Sequence, residues 1–346
     1  ECKACKTECP SNVDMAKLKT EALAKYYEAH GVPLRARAFG HIARLSAVGQ
    51  RLAPVVNFMG SLAPVRLLNE RLLGISRHRP LPRFANQRFT SWFKKHGAPA
   101  DASRGEAVYF HDTFTEYMHP EAGHAAVRVL EKLGYRVTVV DRRACCGRPL
   151  ISKGQLTTAK ALARRNVDAL LPYAQQGTLI VGTEPSCLLT LRDEYPDMLR
   201  DDASRTVAAQ ALMLDELLVK LAEVDPDTVR GVFADAPRRS VQVHGHCHQK
   251  AIVGTAPTMK ALSLAGYQAE LIDSACCGMA GTFGFEKEHY EISKAMGSLK
   301  LFPAIEAEDK KDWDVAVSGI SCRQQIGHFT AKRPRHVAEY LADALV

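Results

Sequence analysis

The chain has 346 residues, of which 46% are apolar and 24% charged, and its net charge is +8. This length suffices for two compact domains and a smaller region, and the apolar fraction excludes wholesale disorder. No apolar run approaches the roughly 18–20 residues that a membrane-spanning helix requires.

The first residues read Cys2-Lys-Ala-Cys5-Lys-Thr-Glu-Cys9-Pro10. Bacterial ferredoxins carry C-x₂-C-x₂-C-x₃-C-P, and this run reproduces its last three cysteines in register. The missing first cysteine would lie two residues before position 1. We therefore interpret residues 1–30 as a truncated ferredoxin-type segment, with Cys2, Cys5 and Cys9 as [4Fe–4S] ligands. Since the chain begins on motif residues, we expect it to start inside a larger functional element.

Residues 31–106 predict a mainly helical, arginine-rich connecting region. Leu/Ala/Arg periodicity is interrupted repeatedly by proline, which indicates short amphipathic helices. Between Arg35 and Arg88 there are ten arginines and one acidic residue, Glu70. Such a surface is typical of docking to an acidic partner or a membrane surface, or of a simply solvated face. Nucleic acid is not expected, because aromatic residues do not alternate with the basic ones.

An internal repeat follows, with one copy from Ala107 to Leu150 and the other from Ser240 to Gly281. Each copy reads as a strand, a histidine-containing turn, a helix, Leu-x-x-x-Gly-Tyr, a second strand and Cys-Cys-Gly. Each then continues through a helix to a third strand and another cysteine. Strand–helix–strand units predict parallel sheets whose ligands collect beyond the strands' carboxyl ends. The predicted fold class is therefore α/β, with two tandem related modules at 107–235 and 240–346.

The second module offers four thiolates at such strand ends, contributed by Cys247, Cys276, Cys277 and Cys322. Four soft sulfur donors suit a [4Fe–4S] cluster or a structural zinc ion. Two histidines beside these loops, His244 and His248, are further candidate ligands or proton carriers.

The first module keeps only Cys145, Cys146 and Cys187. The position matching Cys247 falls near Thr113 or Phe114. Three thiolates could be completed by His111, by a substrate atom or by a cysteine from elsewhere. They could also bind zinc, or no metal at all.

These residues together resemble the tandem cysteine-rich CCG-domain proteins. That group includes the iron–sulfur subunits of glycolate oxidase and of anaerobic glycerol-3-phosphate dehydrogenase, the lactate-utilisation iron–sulfur protein, and the cysteine-rich subunit of heterodisulfide reductase. The runs CKACKTECPSNVDMAKLKTEAL and LLGISRHRPLP resemble more closely the C-terminal iron–sulfur part of FAD-linked D-2-hydroxyacid dehydrogenases of the D-2-hydroxyglutarate or D-lactate type.

The resemblance implies an electron-transfer portion of an oxidoreductase whose FAD lies on an absent upstream domain or on a separate flavin subunit. The flavin would take a hydride from a 2-hydroxyacid, and the clusters would pass single electrons to a quinone or another acceptor. Under this resemblance Cys2, Cys5 and Cys9 ligate the ferredoxin-type cluster. Cys247, Cys276, Cys277 and Cys322 ligate the cluster of the second module.

The chain departs from the family pattern at the closing C-x-x-C of each module. These segments read Glu184-Pro-Ser-Cys187 and Gly319-Ile-Ser-Cys322, so each lacks its first cysteine. The noncubane cluster described for heterodisulfide reductase needs five cysteines, and neither module has five. An ordinary four-thiolate [4Fe–4S] cluster in the second module therefore fits better.

Two other functions remain open from the sequence. One is a zinc-stabilised module that docks on a flavoprotein without transferring electrons. The other is thiol–disulfide chemistry like that of heterodisulfide reductase, which the adjacent cysteine pairs favour. Because the sequence shows no secretory leader, we expect a cytoplasmic location, peripheral at the inner membrane face if the arginine-rich region contacts lipid.

Overall fold

The computed structural model describes residues 3–97, 102–235, 238–274 and 276–346. Within these ranges the N-terminal part is helical, as the proline-interrupted periodicity predicted. Its helices are α1 (Ala4–Glu8), α2 (Met15–His30), α3 (Leu34–Gly40), α4 (Ile42–Arg51), α5 (Ala53–Ser61), α6 (Ala63–Leu73) and α7 (Phe89–His96). Prolines occupy the first turns of α5 and α6, where the missing N–H costs no helical hydrogen bond.

The first sheet and its helices follow in strict alternation. In chain order they are β1 (Glu106–Tyr109), α8 (Thr113–Tyr117), α9 (Pro120–Lys132), β2 (Arg136–Thr138), α10 (Arg148–Ser152), α11 (Leu156–Gln175), β3 (Leu179–Gly182), α12 (Pro185–Leu199), α13 (Asp202–Gln210), β4 (Ala211–Met213), α14 (Leu214–Val224) and α15 (Pro226–Gly231).

The second sheet repeats this arrangement. Its elements are β5 (Ser240–His244), α16 (Cys247–Ile252), α17 (Ala256–Leu264), β6 (Gln268–Leu271), α18 (Tyr290–Leu299), α19 (Leu301–Ile305), β7 (Asp314–Val317), α20 (Ile320–Phe329), β8 (Arg335–His336) and α21 (Val337–Asp343). Short 3-10 turns lie at Phe283–Phe285, Lys287–His289 and Glu308–Lys310.

Both sheets are four-stranded and all-parallel, in the orders β2-β1-β3-β4 and β6-β5-β7-β8. Their central strands are short apolar runs that are buried because helices cover both faces; Val108 and Ile180 are fully buried. In each sheet the strand order reverses between the first and third strands. Ligands of doubly wound sheets bind at this point, beyond the carboxyl ends of the strands. The predicted α/β class with two related parallel-sheet modules is confirmed.

The two sheets share one apolar core through a reciprocal helix contact. Helix α9 packs against α21, and α14 packs against α17. Helices α9 and α17 each follow the first strand of their sheet, and α14 and α21 each follow the last strand. In each of these two contacts, a helix after the first strand of one sheet packs against a helix after the last strand of the other. This reciprocity is the pattern of a two-fold relation between the sheets. The shared core includes Leu130, Leu218, Leu262 and Leu341.

The N-terminal helices lie against both sheets. Helix α1 contacts α16 of the second sheet, α2 and α3 contact α10 of the first, and α4 contacts α8. The connecting region is therefore packed onto the ends of the sheets where the cysteine loops lie. The predicted domain boundaries at 30, 106, 235 and 240 stay a prediction.

Candidate metal centres

The second cysteine site, defined as Cys247, Cys276, Cys277 and Cys322, forms where three loops meet at the carboxyl end of the second sheet. Cys247 is the first residue of α16, the adjacent pair follows β6, and Cys322 lies in the first turn of α20. Cys277 hydrogen-bonds with both Cys276 and Cys322. Cys247 and Cys276 both act electrostatically on Cys322. The structure thus brings together all four predicted ligands of this module.

Burial makes thiolates costly at this site. The hydrogen bond with Cys276 lowers the pKa of Cys277, but the bond with Cys322 and burial outweigh it, so the pKa is raised. The pKa of Cys322 is likewise raised by burial, against the bond with Cys277. The buried thiols at this site are hydrogen-bonded to one another. A soft, positively charged metal group would stabilise such donors in the thiolate form. The residues present therefore fit an iron–sulfur or zinc group.

Gly278 shapes the loop that carries the cysteine pair. Its φ is +91°, and a Cβ placed there would lie 2.2 Å from the Ser293 carbonyl oxygen. The close approach to α18 and the left-handed backbone both require glycine. The backbone N–H of Gly278 donates to the Cys276 sulfur at 3.3 Å. Hydrogen bonds to such sulfurs stabilise added negative charge on a bound cluster.

The two predicted histidine candidates lie beside this site in different roles. His244 is buried, and its ring joins Cys277 and Cys322 in a group whose ligand atoms all lie within 4.8 Å of one another. Its Nδ1 shares a 2.9 Å hydrogen bond with Ser274 Oγ. Burial and then the charge of Lys250 lower the pKa of His244 to about 3, so it is neutral at physiological pH. His248 is buried in the first turn of α16 and lines the cavity described below.

A buried cation contacts Ser293, the residue that Gly278 approaches closely. The Arg79 side chain is 2% exposed, and its guanidinium carbon lies 5.0 Å from the Phe329 ring centroid. Its Nη2 donates to Ser293 Oγ at 3.4 Å, while Nε and Nη1 have no hydrogen-bond partner among the described residues. Burial lowers the pKa of Arg79 to about 10, and Cys277 is one of the groups that raise it. Arg79 therefore places a positive charge near the second cysteine site at neutral pH.

The first cysteine site, defined as Cys145, Cys146 and Cys187, forms at the equivalent place on the first sheet. The pair follows β2, and Cys187 is the third residue of α12 as Cys322 is of α20. The Cys146 and Cys187 sulfurs are 3.1 Å apart. The hydrogen bond with Cys146 and then burial raise the pKa of Cys145. Tyr195 donates to the Cys146 carbonyl oxygen at 2.9 Å, which helps to hold the loop.

Thr113 takes the position that Cys247 has in the second site. Each is the first residue of the helix after the first strand of its sheet. The sequence left this position open between Thr113 and Phe114. The Thr113 hydroxyl hydrogen-bonds to the Cys145 sulfur and lowers its pKa. The sequence therefore did not identify Thr113 as a contact residue of the first site. The available signal was Asp112, a typical N-cap residue, which marks Thr113 as the first residue of the helix.

His111, one of the groups that could complete the first site, has one ring nitrogen engaged by an arginine. Its Nε2 accepts a hydrogen bond from Arg143 Nε at 2.9 Å. Burial and then the Arg143 charge lower the pKa of His111 well below its ordinary value. The remaining nitrogen, Nδ1, has no hydrogen-bond partner among the described residues.

Contacts at the two positions that lack a cysteine explain the departures from C-x-x-C. Glu184 stands in the position of the missing cysteine of the first sheet, and its Oε2 accepts from Ile320 N of the second sheet at 2.8 Å. Burial raises the pKa of Glu184 to about 7. On the other side, a Cβ at Gly319 would lie 2.2 Å from His246 Cδ2. The Glu184 position is therefore occupied by a contact between the sheets, and the Gly319 position by a close approach within the second sheet.

The ferredoxin-type segment is fixed to the first sheet by buried charges. Lys3, which is 1% exposed, pairs with Asp14 at 2.9 Å and Glu194 at 2.7 Å, and also with Asp193. Glu194 in turn pairs with Arg148, two residues after Cys146. Of the predicted ligands here, Cys5 lies in α1 and Cys9 ends it, and Cys2 lies outside the described residues. Since α1 also contacts α16, the segment bridges the loops of both cysteine sites.

A cavity of about 150 Å³ lies between the two cysteine sites. Its walls are largely apolar, and the connecting region closes one side. Sulfurs of both sites line it, contributed by Cys187, Cys247, Cys277 and Cys322. The apolar lining includes Phe39, Ile42, Leu81, Phe114, Met118, Met279 and Phe285.

Two parallel sheets with repeated cysteine loops define a protein of the tandem cysteine-rich class. The family model described as "Cysteine-rich domain" matches residues 108–192, which run from β1 into α12. The chain is 32% identical to a subunit of the anaerobic glycerol-3-phosphate dehydrogenase of Escherichia coli K12, over 97% of its own length and 83% of that protein. The chain belongs to the family of that dehydrogenase subunit.

Two further relatives extend the comparison. D-2-hydroxyglutarate dehydrogenase of Escherichia coli K12 is 26% identical over 99% of this chain, which covers 34% of that protein. Lactate utilization protein A of an Exiguobacterium strain is 28% identical over 67% of this chain, and the alignment covers 94% of that protein's length. The predicted resemblance to these groups is confirmed, and the chain is part of an oxidoreductase. In the described residues, no helix combines the length and apolar character needed to cross a membrane.

Proposed function

We propose that the chain is the iron–sulfur electron-transfer portion of a FAD-linked dehydrogenase, relaying electrons from the flavin to a quinone or another acceptor. The observation that carries this proposal is the convergence of four buried or half-buried thiols from three loops at the second cysteine site. Family membership supports the same function. A bound iron–sulfur cluster would supply one-electron transfer, for which the protein provides ligands, burial and charge.

A [4Fe–4S] cluster suits the second site better than a single zinc ion. Its four thiols match the Cys₄ set of a [4Fe–4S] cluster, whereas zinc has no redox chemistry and would make no use of groups that stabilise an added electron. The Arg79 charge and the Gly278 N–H both stabilise an added electron there.

The flavin in this proposal lies on a separate domain or subunit. The relative named as a D-2-hydroxyglutarate dehydrogenase is about three times as long as the aligned segment, which leaves room for a flavin-bearing part. We propose a 2-hydroxyacid as the substrate of that part. Because another relative is named for glycerol 3-phosphate, the two substrates should be compared as reductants of the assembled enzyme. Reduction of the iron–sulfur part by glycerol 3-phosphate alone would reject the 2-hydroxyacid.

The cavity between the cysteine sites is the place we propose for the acceptor. Its aromatic and aliphatic walls suit a quinone ring, and sulfurs of both sites reach it. The alternative of thiol–disulfide chemistry would use the same cavity with a polar sulfur substrate, which the apolar lining favours less. Titration of the dithionite-reduced protein with a water-soluble quinone, beside an assay of disulfide reduction, would separate them, since disulfide turnover without quinone reduction contradicts this assignment.

A surface next to the cavity supports peripheral contact with the inner membrane face. Helices α4 to α6 expose large apolar side chains, among them Val48, Leu52, Phe58 and Leu72, each at least 60% exposed. The ten arginines of region 35–88 supply the positive charge that anionic lipid attracts. We define these three helices as the apolar surface. A quinone dissolved in the membrane would then lie close to the cavity.

Phe58→Glu is expected to weaken binding to phosphatidylglycerol vesicles at least about tenfold, because it replaces a large apolar contact with a repelled charge. Co-sedimentation measures the bound fraction. Leu299→Glu is the matched control, since Leu299 is 80% exposed but lies outside the apolar surface. Equal binding by both variants and the wild type would remove membrane contact from the proposal.

Cys322→Ser is expected to abolish the cluster of the second site, because a hydroxyl does not replace a thiolate ligand for iron at neutral pH. Iron and acid-labile sulfide are counted after anaerobic reconstitution of the full chain. Ser321→Ala keeps all four thiols and should retain its iron. If Cys322→Ser bound as much iron and sulfide as the wild type, the assignment of the second site would be wrong.

A further inference from the structure

We propose that the first cysteine site holds a three-thiolate [3Fe–4S] cluster, ligated by Cys145, Cys146 and Cys187, with Thr113 at the corner that carries no iron. This inference rests on the proposed function, because it assumes that the chain carries iron–sulfur clusters. It assigns a different cluster type to each of two sites built on the same fold.

The equivalence of Thr113 and Cys247 follows from topology. The two sheets have the same strand order, and β1 and β5 each pair in parallel with the second and third strands of their sheet. Asp112 and His246 directly precede the two positions, and each side chain accepts a hydrogen bond from a backbone N–H two residues on. The chain therefore leaves both strands in the same way. A threonine replaces one ligand while the surrounding backbone is retained.

The Thr113 side chain points to the cysteines of the first site. It is 4% exposed, and its hydroxyl hydrogen-bonds to the Cys145 sulfur. A neutral hydroxyl is a poor ligand for iron in a cluster, which prefers thiolate sulfur. It is a good hydrogen-bond donor to a thiolate. Thr113 thus fits the edge of a three-iron cluster, where a sulfur needs a donor and no fourth iron needs a ligand.

Most of the other polar atoms near this position are already engaged. His111 Nε2 accepts from Arg143 at 2.9 Å, while His111 Nδ1 has no hydrogen-bond partner among the described residues. The Asp112 carboxylate accepts from the N–H groups of Phe114 and Thr115 and from the Thr115 hydroxyl. Glu184 accepts from the Ser186 hydroxyl at 2.6 Å and from Ile320 N. Completing a fourth iron ligand from Asp112, Glu184 or His111 Nε2 would break one of these contacts.

The test compares the wild type, Thr113→Cys and Thr113→Ser in the full chain, purified without oxygen and then oxidised. An oxidised [3Fe–4S] cluster is paramagnetic and gives an EPR signal, whereas an oxidised [4Fe–4S]²⁺ cluster gives none. We expect the wild type and Thr113→Ser to show the three-iron signal. Thr113→Cys restores a fourth thiolate, so the signal should disappear and about one iron per chain should be gained.

Cys187→Ser locates the signal. It should remove the signal and about three irons per chain while leaving the iron that Cys322→Ser removes. An EPR-silent oxidised wild type, unchanged iron in Cys187→Ser, or zinc in its place would overturn the inference. If the second site kept its iron, the proposed function would stand despite that failure. If iron were absent from both sites, the proposed function would fall as well.

Discussion

Gly278→Ala is expected to empty the second cysteine site of iron. The new Cβ would lie 2.2 Å from the carbonyl oxygen of the buried Ser293, which is helix backbone and cannot move away as a flexible side chain can. Overpacking of this kind costs about 1–3 kcal/mol, and the left-handed backbone adds about 1–2 kcal/mol for a residue with a Cβ. Relief requires the loop of Cys276 and Cys277 to shift, which removes two ligands from their positions.

Gly281→Ala is the matched control for this variant. Gly281 belongs to the same loop and also has a left-handed φ, of +68°, but a Cβ there would meet no atom within 4 Å. It should therefore cost only the backbone strain of about 1–2 kcal/mol and retain its iron. Iron content and melting temperature are measured for both variants. Equal iron in Gly278→Ala and Gly281→Ala would show that the close approach to α18 does not position the ligands.

Arg79→Met is expected to make the midpoint potential of the second-site cluster more negative. Arg79 supplies a buried positive charge near Cys277, and each electron added to the cluster is stabilised by it. A unit charge within about 10 Å, at an effective dielectric constant near 20, is worth roughly 2 kcal/mol, or on the order of 50–100 mV for one electron. Folding should change little, because a buried cation with unsatisfied nitrogens contributes weakly to stability.

Two companion variants separate charge from packing. Arg79→Lys keeps the charge and should keep a potential close to that of the wild type. Arg77→Met removes an arginine two residues away that is 53% exposed and pairs with Glu70, so water screens its effect. EPR-monitored redox titration gives the potential of each variant. A potential for Arg79→Met equal to that of Arg77→Met would show that Arg79 has no electrostatic role at the cluster.

The sequence predicted the features that depend on local pattern. Alternating strand and helix signals indicated two parallel sheets, because short apolar runs between helices have few other stable arrangements. The position of Cys322 just past the end of a strand followed from the same logic. The repeat was detectable because Cys-Cys-Gly needs a glycine at Gly278, where no side chain fits.

Features that depend on contacts across the chain could not be predicted. Whether Thr113 or Phe114 corresponds to Cys247 depends on how the first module is aligned with the second. A shift of this alignment by one residue decides which side chain is expected to reach Cys145. Lys3 reads as a surface lysine in the sequence, yet it is buried among carboxylates that lie up to 191 positions away. Glu184 and Gly319 read as lost ligands in the sequence. Glu184 gains its role at the joint between the sheets, and Gly319 gains its role from the close approach of His246 within the second sheet.

Whether the second cysteine site holds an electron-carrying iron–sulfur cluster is decided by counting iron, acid-labile sulfide and zinc in the full chain. The count is made after anaerobic reconstitution, beside Cys322→Ser. We expect iron and sulfide bound together in the wild type, with cluster absorption that dithionite bleaches, and a loss of about four irons per chain in the variant. Stoichiometric zinc without sulfide, and no absorption that responds to dithionite, would contradict the assignment of a cluster to this site.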